Sequence, residues 1–344
     1  MAFRSIFAVA TAVFVGGLGL AAVQPDTSLA VPAASVLPVT TTPLPLNRDD
    51  PAQDRVGGLL FMGAVQIRSS NPLFGGISAL RSGLGDRMLA VSDTGNWLAF
   101  DTVERDGRLI GIANARIAPI RQPDGKAAAT KADGDAEALE WDPATGAATI
   151  VYEQDHRLVH FTGIDAARTA SFAAIPSRIE RLAGMAGWAP NGGGEALAVL
   201  PGGARIVISE TALRPDGSHQ ALLTEAGITT EIGIAGVADH SPTDAIALDS
   251  HRLLVLNRRF TLTMGQGAAL TLVDLTPALG PSPLRSMLGA RVLARWQPPL
   301  TLDNMEGLAL RRRGNKTFVY VISDDNLNGL QRTVLMKFAL CIGE

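Results

Sequence analysis

The stretch Asp303–Asn326, DNMEGLALRRRGNKTFVYVISDDN, holds a carboxylate (Glu306) leading a short apolar run, a polar turn, a second apolar run, and a Ser-Asp-Asp-Asn ending. Two apolar runs of strand length joined by a polar turn read as a β-hairpin, and here the hairpin starts and stops on acids. Weaker copies lie upstream. First runs are led by Gly76 (in GGISAL), Glu137 (EALEW), Glu195 (EALAVL), Asp244 (DAIAL) and Glu306 (EGLAL). Each is followed by a second run that ends on polar residues, reached at Asp93, Glu153-Gln154, Glu210, Asn257 and Asp324-Asp325.

The leads are spaced by 49 to 62 residues, and further strand candidates fill the intervals: WLAFDTV and LIGIANARI, RLVHFTG and ASFAAI, HQALLT and ITTEIGIA, ALTLVDL and VLARWQ. A recurring unit of several strands at such a period predicts an all-β fold, a β-propeller of four-stranded blades. Five blades are counted, with room for a sixth in the longer intervals. The fifth unit has only VLMKFAL after its hairpin, whereas a spare strand, LLFMGAVQIR, stands at Leu59–Arg68. Pairing the two would close the ring and remove its exposed edges. The first runs are apolar on consecutive residues, as expected of strands covered on both faces.

The 344 residues carry 33 acidic and 30 basic side chains, a net charge of −3, with 36 glycines, 20 prolines and 5% aromatics. Without a basic excess the chain does not read as a nucleic-acid binder. The one cysteine, Cys341, precludes an intrachain disulfide and a cysteine-built zinc site. Arg4 followed by the apolar stretch Ile6–Val23 and Ser28-Leu29-Ala30 reads as an export signal over residues 1–30, cleaved at the small-x-small site, with an uncleaved anchor as the alternative. Residues 31–57, rich in Pro, Thr and Ala, read as a linker or loosely attached arm, and 58–344 as the propeller domain. The expectation is a periplasmic or secreted monomer with no membrane span once the signal is removed.

Equivalent positions of successive blades lie on a ring, so Glu137, Glu195, Asp244 and Glu306 should converge at one mouth of the central channel, with Gly76 as the odd member. Carboxylates sharing a mouth repel unless protons, cations or basic partners neutralise them. With Asp93 they form an all-oxygen donor set suited to Ca²⁺ and no organic cofactor. The alternative is that the acids bond to backbone amides of neighbouring blades. Of the second-strand ends, Asp324-Asp325 exceeds what a turn needs. Arg157, Arg258 and Arg259 are candidate anion-binding residues, Arg258-Arg259 because one of two adjacent side chains leaving a strand can lean over the channel. Arg311–Arg313 read as a solvated hairpin tip. His156 and His160, four apart in a strand, lack the spacing of a helical zinc pair. There is no G-x-S-x-G elbow, phosphate-binding P-loop or dinucleotide fingerprint.

Taken in order, SDTG (Ser92–Gly95), DAEALEWDP (Asp135–Pro143), EQDHR (Glu153–Arg157), GGGEALAVLPGG (Gly192–Gly203), LLVLNRRFT (Leu253–Thr261), NMEGLAL and VISDDN resemble the exported bacterial family described as esterase-like activity of phytase. The resemblance covers Gly76 to Phe338. It implies a secreted propeller related in architecture to calcium-dependent phytases, hydrolysing phosphoesters or carboxyesters. Asn257 departs from the Glu that the family usually has before an Arg, and Asp244 from the usual lead. The leading expectation is thus a metal-assisted hydrolase of a small anionic ester or envelope-derived ligand, with Glu306, Asp324 and Arg258 as catalytic residues. A non-catalytic module binding an envelope glycan or protein, and a lactonase-like sugar-acid hydrolase, are the alternatives.

Overall fold

The computed structural model describes residues 34–261, 263–280 and 287–342; the signal read over residues 1–30 lies outside them. Five sheets follow one another along the chain, antiparallel except where Met287–Leu288 adds a parallel edge to the third. Blade 1 is built on Ile77–Ser82, Arg87–Ser92, Asn96–Arg105 and Arg108–Pro119; blade 2 on Ala136–Asp142, Ala147–Tyr152, Arg157–Phe161 and Arg178–Glu180. Blade 3 takes Gly194–Val199, Arg205–Leu213, His219–Glu225 and Ile228–Ile234, and blade 4 takes Ser241–Ala247, Arg252–Thr261, Gly265–Asp274 and Ala290–Trp296. Blade 5 consists of Asn304–Arg313, Lys316–Asp324 and Thr333–Leu340, completed by Leu59–Arg68 from the other end of the chain. Its closing pairing runs from Thr333 opposite Ile67 to Leu340 opposite Leu59. The expected ring closure is therefore the observed one, and the blade count is five.

An apolar cluster fills each of the five blade interfaces. Leu254, Leu256 and Leu270 of blade 4 meet Leu308, Val321 and Met336 of blade 5, and equivalent clusters join the other pairs. The first strand of every blade is covered on both faces this way, which explains the consecutive apolar residues. The interface between blades 2 and 3 is the thinnest, since the fourth strand of blade 2 has three residues, and Leu182, Met185 and Trp188 from a connecting loop fill it.

Three readings are corrected here. ASFAAI is not the outer strand of blade 2: Thr169–Ala173 form a 3-10 turn that lets Phe172 stack on Trp97 with centroids 6.0 Å apart. Residues 34–57 are not loosely attached. Ser35–Val36 pair with the outer strand of blade 1, Thr40–Leu44 with Leu59–Arg68, and Leu37 and Leu46 are buried, so the segment covers two sheet edges. Arg311 is no solvated tip: it is buried, donating from Nη1 to Thr102 Oγ1 (2.9 Å) and Tyr320 Oη (3.0 Å). Among the described residues no helix is long and apolar enough to cross a membrane.

Candidate functional site

The register of the five hairpins builds the site. In every blade the pairing of first and second strand slips by one residue at the same place: at Ser78, Glu137, Glu195, Thr243 and Glu306. A β-bulge leaves its extra residue outside the ladder and re-aims its side chain. Five bulges at one level thus give five side chains around the channel axis, four of which (Ser78, Glu137, Glu195, Glu306) line a cavity of about 360 Å³ at the mouth. The residues opposite the strand starts form a second ring: Asp93, Glu153, Glu210, Arg258 and Asp324, all in the same cavity. Asp135 and Lys131 complete it, Lys131 from the short helix Lys131–Gly134 capped by Thr130.

Eight carboxyl groups (Asp93, Asp135, Glu137, Glu153, Glu195, Glu210, Glu306, Asp324) thus face two cations (Lys131, Arg258), a formal charge of −6 if all ionise. Such a mouth does not stay fully ionised by itself. Burial, then the charges of Glu153 and Asp135, push Glu137 well above the usual carboxylate range; burial, then Glu137 and Glu153, do the same to Glu195. Burial lifts Glu306 to about 8 against the pull of Arg258, and Asp324 to about 7 against a bond from the Asn326 amide. Arg258 donates from Nη2 to Glu210 Oε1 (2.9 Å) and from Nη1 to Asn304 Oδ1 (3.0 Å). Its Nε lies 3.1 Å from Glu306 Oε1, an ion pair not aligned as a hydrogen bond. Lys131 Nζ bridges Asp93 Oδ2 (3.0 Å) and Asp135 Oδ1 (2.8 Å).

The donor set fits a hard divalent cation. Asp135, Glu137 and Glu153 each place a carboxylate oxygen within 4.8 Å of the other two. Three acidic oxygens at that separation, with no sulfur or imidazole among them, match oxygen-rich Ca²⁺ ligation. Asp93 Oδ1, buried at the edge of the same mouth, has no hydrogen-bond partner among the described residues.

The family model described as phytase-like, esterase-like activity of phytase, matches residues 72–327, most of the chain and every blade. The chain belongs to the phytase-like family. No curated protein matches the sequence significantly. Among solved structures, the phytase-like chain is similar to a thermostable family-43 glycoside hydrolase (10% identity, 78% of this chain and 91% of that one, TM-score 0.46). It is also similar to the major Malassezia sympodialis allergen Mala s 1 (11%, 83% and 91%, TM-score 0.37) and to the WD40 β-propeller domain of Doa1 (9%, 82% and 97%, TM-score 0.36). At these identities and scores none of them bears on function.

Of the residues singled out in this phytase-like sequence, the mouth gathers Glu137, Glu195, Glu306, Asp93, Asp324 and Arg258. Asp244 is not among them. Thr243 occupies the bulge position of blade 4, and Asp244, one step deeper, is fully buried with both oxygens on Arg81 (2.8 and 3.0 Å) and two backbone amides, so no lone pair is free to coordinate a cation. In blade 1 the ring position is Ser78, two residues beyond Gly76. Gly76 has φ +63° and its Cβ would overlap Asp93 Oδ1, so a side chain there would displace that carboxylate. The register also puts Arg258, not Asn257, level with the four acids of the second ring.

Arg157 and Arg259 do not reach the mouth. Arg157 is held by Asp155 and by the Asp133 carbonyl (2.6 Å), its guanidinium over the Tyr152 ring at 4.3 Å. Arg259 points to the other face of its strand, and His156 lies in the turn before the His160 strand with φ +45°. Asp135 and Lys131 were missed, although DAEALE shows an acid two residues before the Glu137 lead; a one-residue difference in where each hairpin is anchored hides that equivalence.

Proposed function

We propose that this protein is an exported, Ca²⁺-assisted hydrolase of anionic esters, phosphomonoesters foremost, acting at the acidic mouth. The observation that carries the reading is the Asp135–Glu137–Glu153 oxygen cluster in one cavity with a fixed arginine and two carboxyls poised near neutrality. A divalent cation held there by Asp135, Glu137 and Glu153 supplies charge neutralisation and Lewis-acid polarisation of the ester. Arg258, oriented by Glu210 and Asn304, presents its remaining N–H groups to the anionic oxygens of the substrate. Glu306, protonated at neutral pH and 3.1 Å from Arg258, donates a proton to the leaving alcohol, while Asp324, titrating lower, takes one from the attacking water. Two carboxyls whose surroundings separate their proton affinities make an acid–base pair. The Arg4, Ile6–Val23 and Ser28-Leu29-Ala30 sequence supports export to the periplasm or beyond.

With Ca²⁺ supplied, purified protein should hydrolyse phosphomonoesters, and Glu306→Gln should lose about 100-fold or more in kcat with Ca²⁺ binding and fold retained. Absence of turnover on phosphomonoesters, short acyl esters and lactones alike, with Ca²⁺ still bound, would leave the mouth as a cation-dependent binding surface and end the hydrolase reading.

A further inference from the structure

A second cavity, of about 630 Å³, opens beside the mouth between blades 3 and 4. The end of the Arg205–Leu213 strand is the partition, because Glu210 and Thr211 line both cavities. Its far wall is the loop from Gly236 to Ser241 that leads into blade 4. The chemistry proposed for the mouth makes no use of it.

Its lining is specific in character. His219 and His240 are each more than nine-tenths buried. His240 Nδ1 lies 2.7 Å from the Ala238 carbonyl oxygen, which can only accept, so Nδ1 carries the hydrogen and Nε2 of the neutral ring is an acceptor. Burial lowers the proton affinity of both imidazoles, favouring that neutral form. Ser241 adds a hydroxyl, and Leu213 and Val237 an apolar wall. No lysine or arginine lines the cavity, whereas Glu210 and Asp239 do. An anionic group placed here would be desolvated beside two acids with no cation on the lining, the guanidinium behind Glu210 being already held by Glu210 and Asn304. An uncharged ring with hydroxyls would find acceptors for its O–H groups and an apolar surface for its C–H face.

We infer that this cavity is the subsite for the alcohol half of the ester, and that it takes an uncharged, hydroxyl-bearing ring of the sugar kind rather than a polyphosphorylated one. The inference rests on ester cleavage taking place at the mouth. With the ester at the Glu210–Thr211 partition, the ring lies against His240, whose Nε2 accepts from a ring hydroxyl.

The test compares methyl phosphate, glucose 1-phosphate and inositol hexakisphosphate with Ca²⁺ present. Wild type is expected to favour glucose 1-phosphate in kcat/KM by about tenfold or more over each of the others. The ratio of glucose 1-phosphate to methyl phosphate should fall about tenfold in Ala238→Trp, which obstructs the cavity from its loop wall, and about fivefold in His240→Phe, which removes one hydrogen bond. A preference for the hexakisphosphate, or an unchanged ratio in Ala238→Trp, overturns the subsite. If wild type cleaves none of the three, phosphomonoester cleavage at the mouth fails by itself and the cavity is judged by calorimetry with methyl glucoside on the Ca²⁺-loaded protein. Binding that Ala238→Trp abolishes upholds an uncharged-ring site, and no binding to wild type rejects it.

Discussion

Arg81→Met is expected to lower the melting temperature by on the order of 10 °C or more, the largest effect of any single side-chain change in this propeller. The reason is where Arg81 ends. Its guanidinium sits on the channel axis below the mouth and bonds to every blade: to the Leu80 carbonyl of blade 1 (2.7 Å), Glu140 of blade 2 (3.3 Å), the Leu197 carbonyl of blade 3 (2.7 Å), Asp244 and the Ala245 carbonyl of blade 4 (2.8 Å each at closest), and the Leu308 carbonyl of blade 5 (2.9 Å). Arg81 is 2% exposed and Asp244 fully buried. Burial raises Asp244 to about 6 while Arg81 pulls it back, so the carboxylate is ionised at neutral pH.

Removing one partner of such a pair leaves a buried charge and several carbonyls without donors, a loss of about 3–5 kcal/mol for the pair before the carbonyls are counted. Arg81→Lys should recover little, because one ammonium cannot replace a planar fork that reaches five blades. Arg81→Met with Asp244→Leu should be more stable than Arg81→Met alone, since the stranded charge is gone. A single mutant within about 2 °C of wild type would show that the blade interfaces hold the ring without this central arginine.

The fold was legible because its signals are local and repeated. Five repeated hairpins, four of them acid-led, and a strand left over at Leu59–Arg68 give a count of five, with a sixth left open, and the closure, with no knowledge of distant contacts. The site was legible only to the level of which strand ends converge. Bulges do not appear in a hydrophobic pattern, so the leads were aligned by their acids, which put Gly76 in place of Ser78 and Asp244 in place of Thr243. The error in blade 4 has a chemical origin: an acid one step past the bulge resembles a ring carboxylate until Arg81, 163 positions away in sequence, is seen to own it. Arg81 did carry a signal, a charge at the end of the apolar run GGISAL, but a single arginine before Ser-Gly reads as an ordinary strand end. The arm at 34–57 was misread because strands that merely cover an edge need little hydrophobicity, and its buried apolar side chains, Leu37, Leu46 and Val56, follow no periodic pattern.

The second large effect is expected from Ca²⁺ and pH together. In chelator, thermal stability should fall as pH rises from about 5 to 8. Glu306 at about 8, Asp324 at about 7, and Glu137 and Glu195 well above the usual range keep protons that the unfolded chain, titrating near 4, has already released. Across that window the folded state binds more protons than the unfolded one, so unfolding free energy drops with pH. Ca²⁺ should reverse the trend. Its ligands must be deprotonated, so binding is strongest where the cation-free mouth is least stable, and each site filled at 100 times its Kd adds about 2.7 kcal/mol. The expected midpoint shift is roughly 4 °C per filled site at pH 8 and small at pH 5. Calorimetry in two buffers of different ionisation heat should record protons released on binding. Glu137→Gln separates relief of repulsion from loss of structure: the variant should be more stable than wild type in chelator at pH 8 and should lose most of the Ca²⁺ shift. A Ca²⁺ shift of equal size at pH 5 and pH 8, or a Glu137→Gln protein that keeps it, would mean that the mouth carboxylates are neutralised by their own protons and by Lys131 and Arg258, with the cation bound elsewhere.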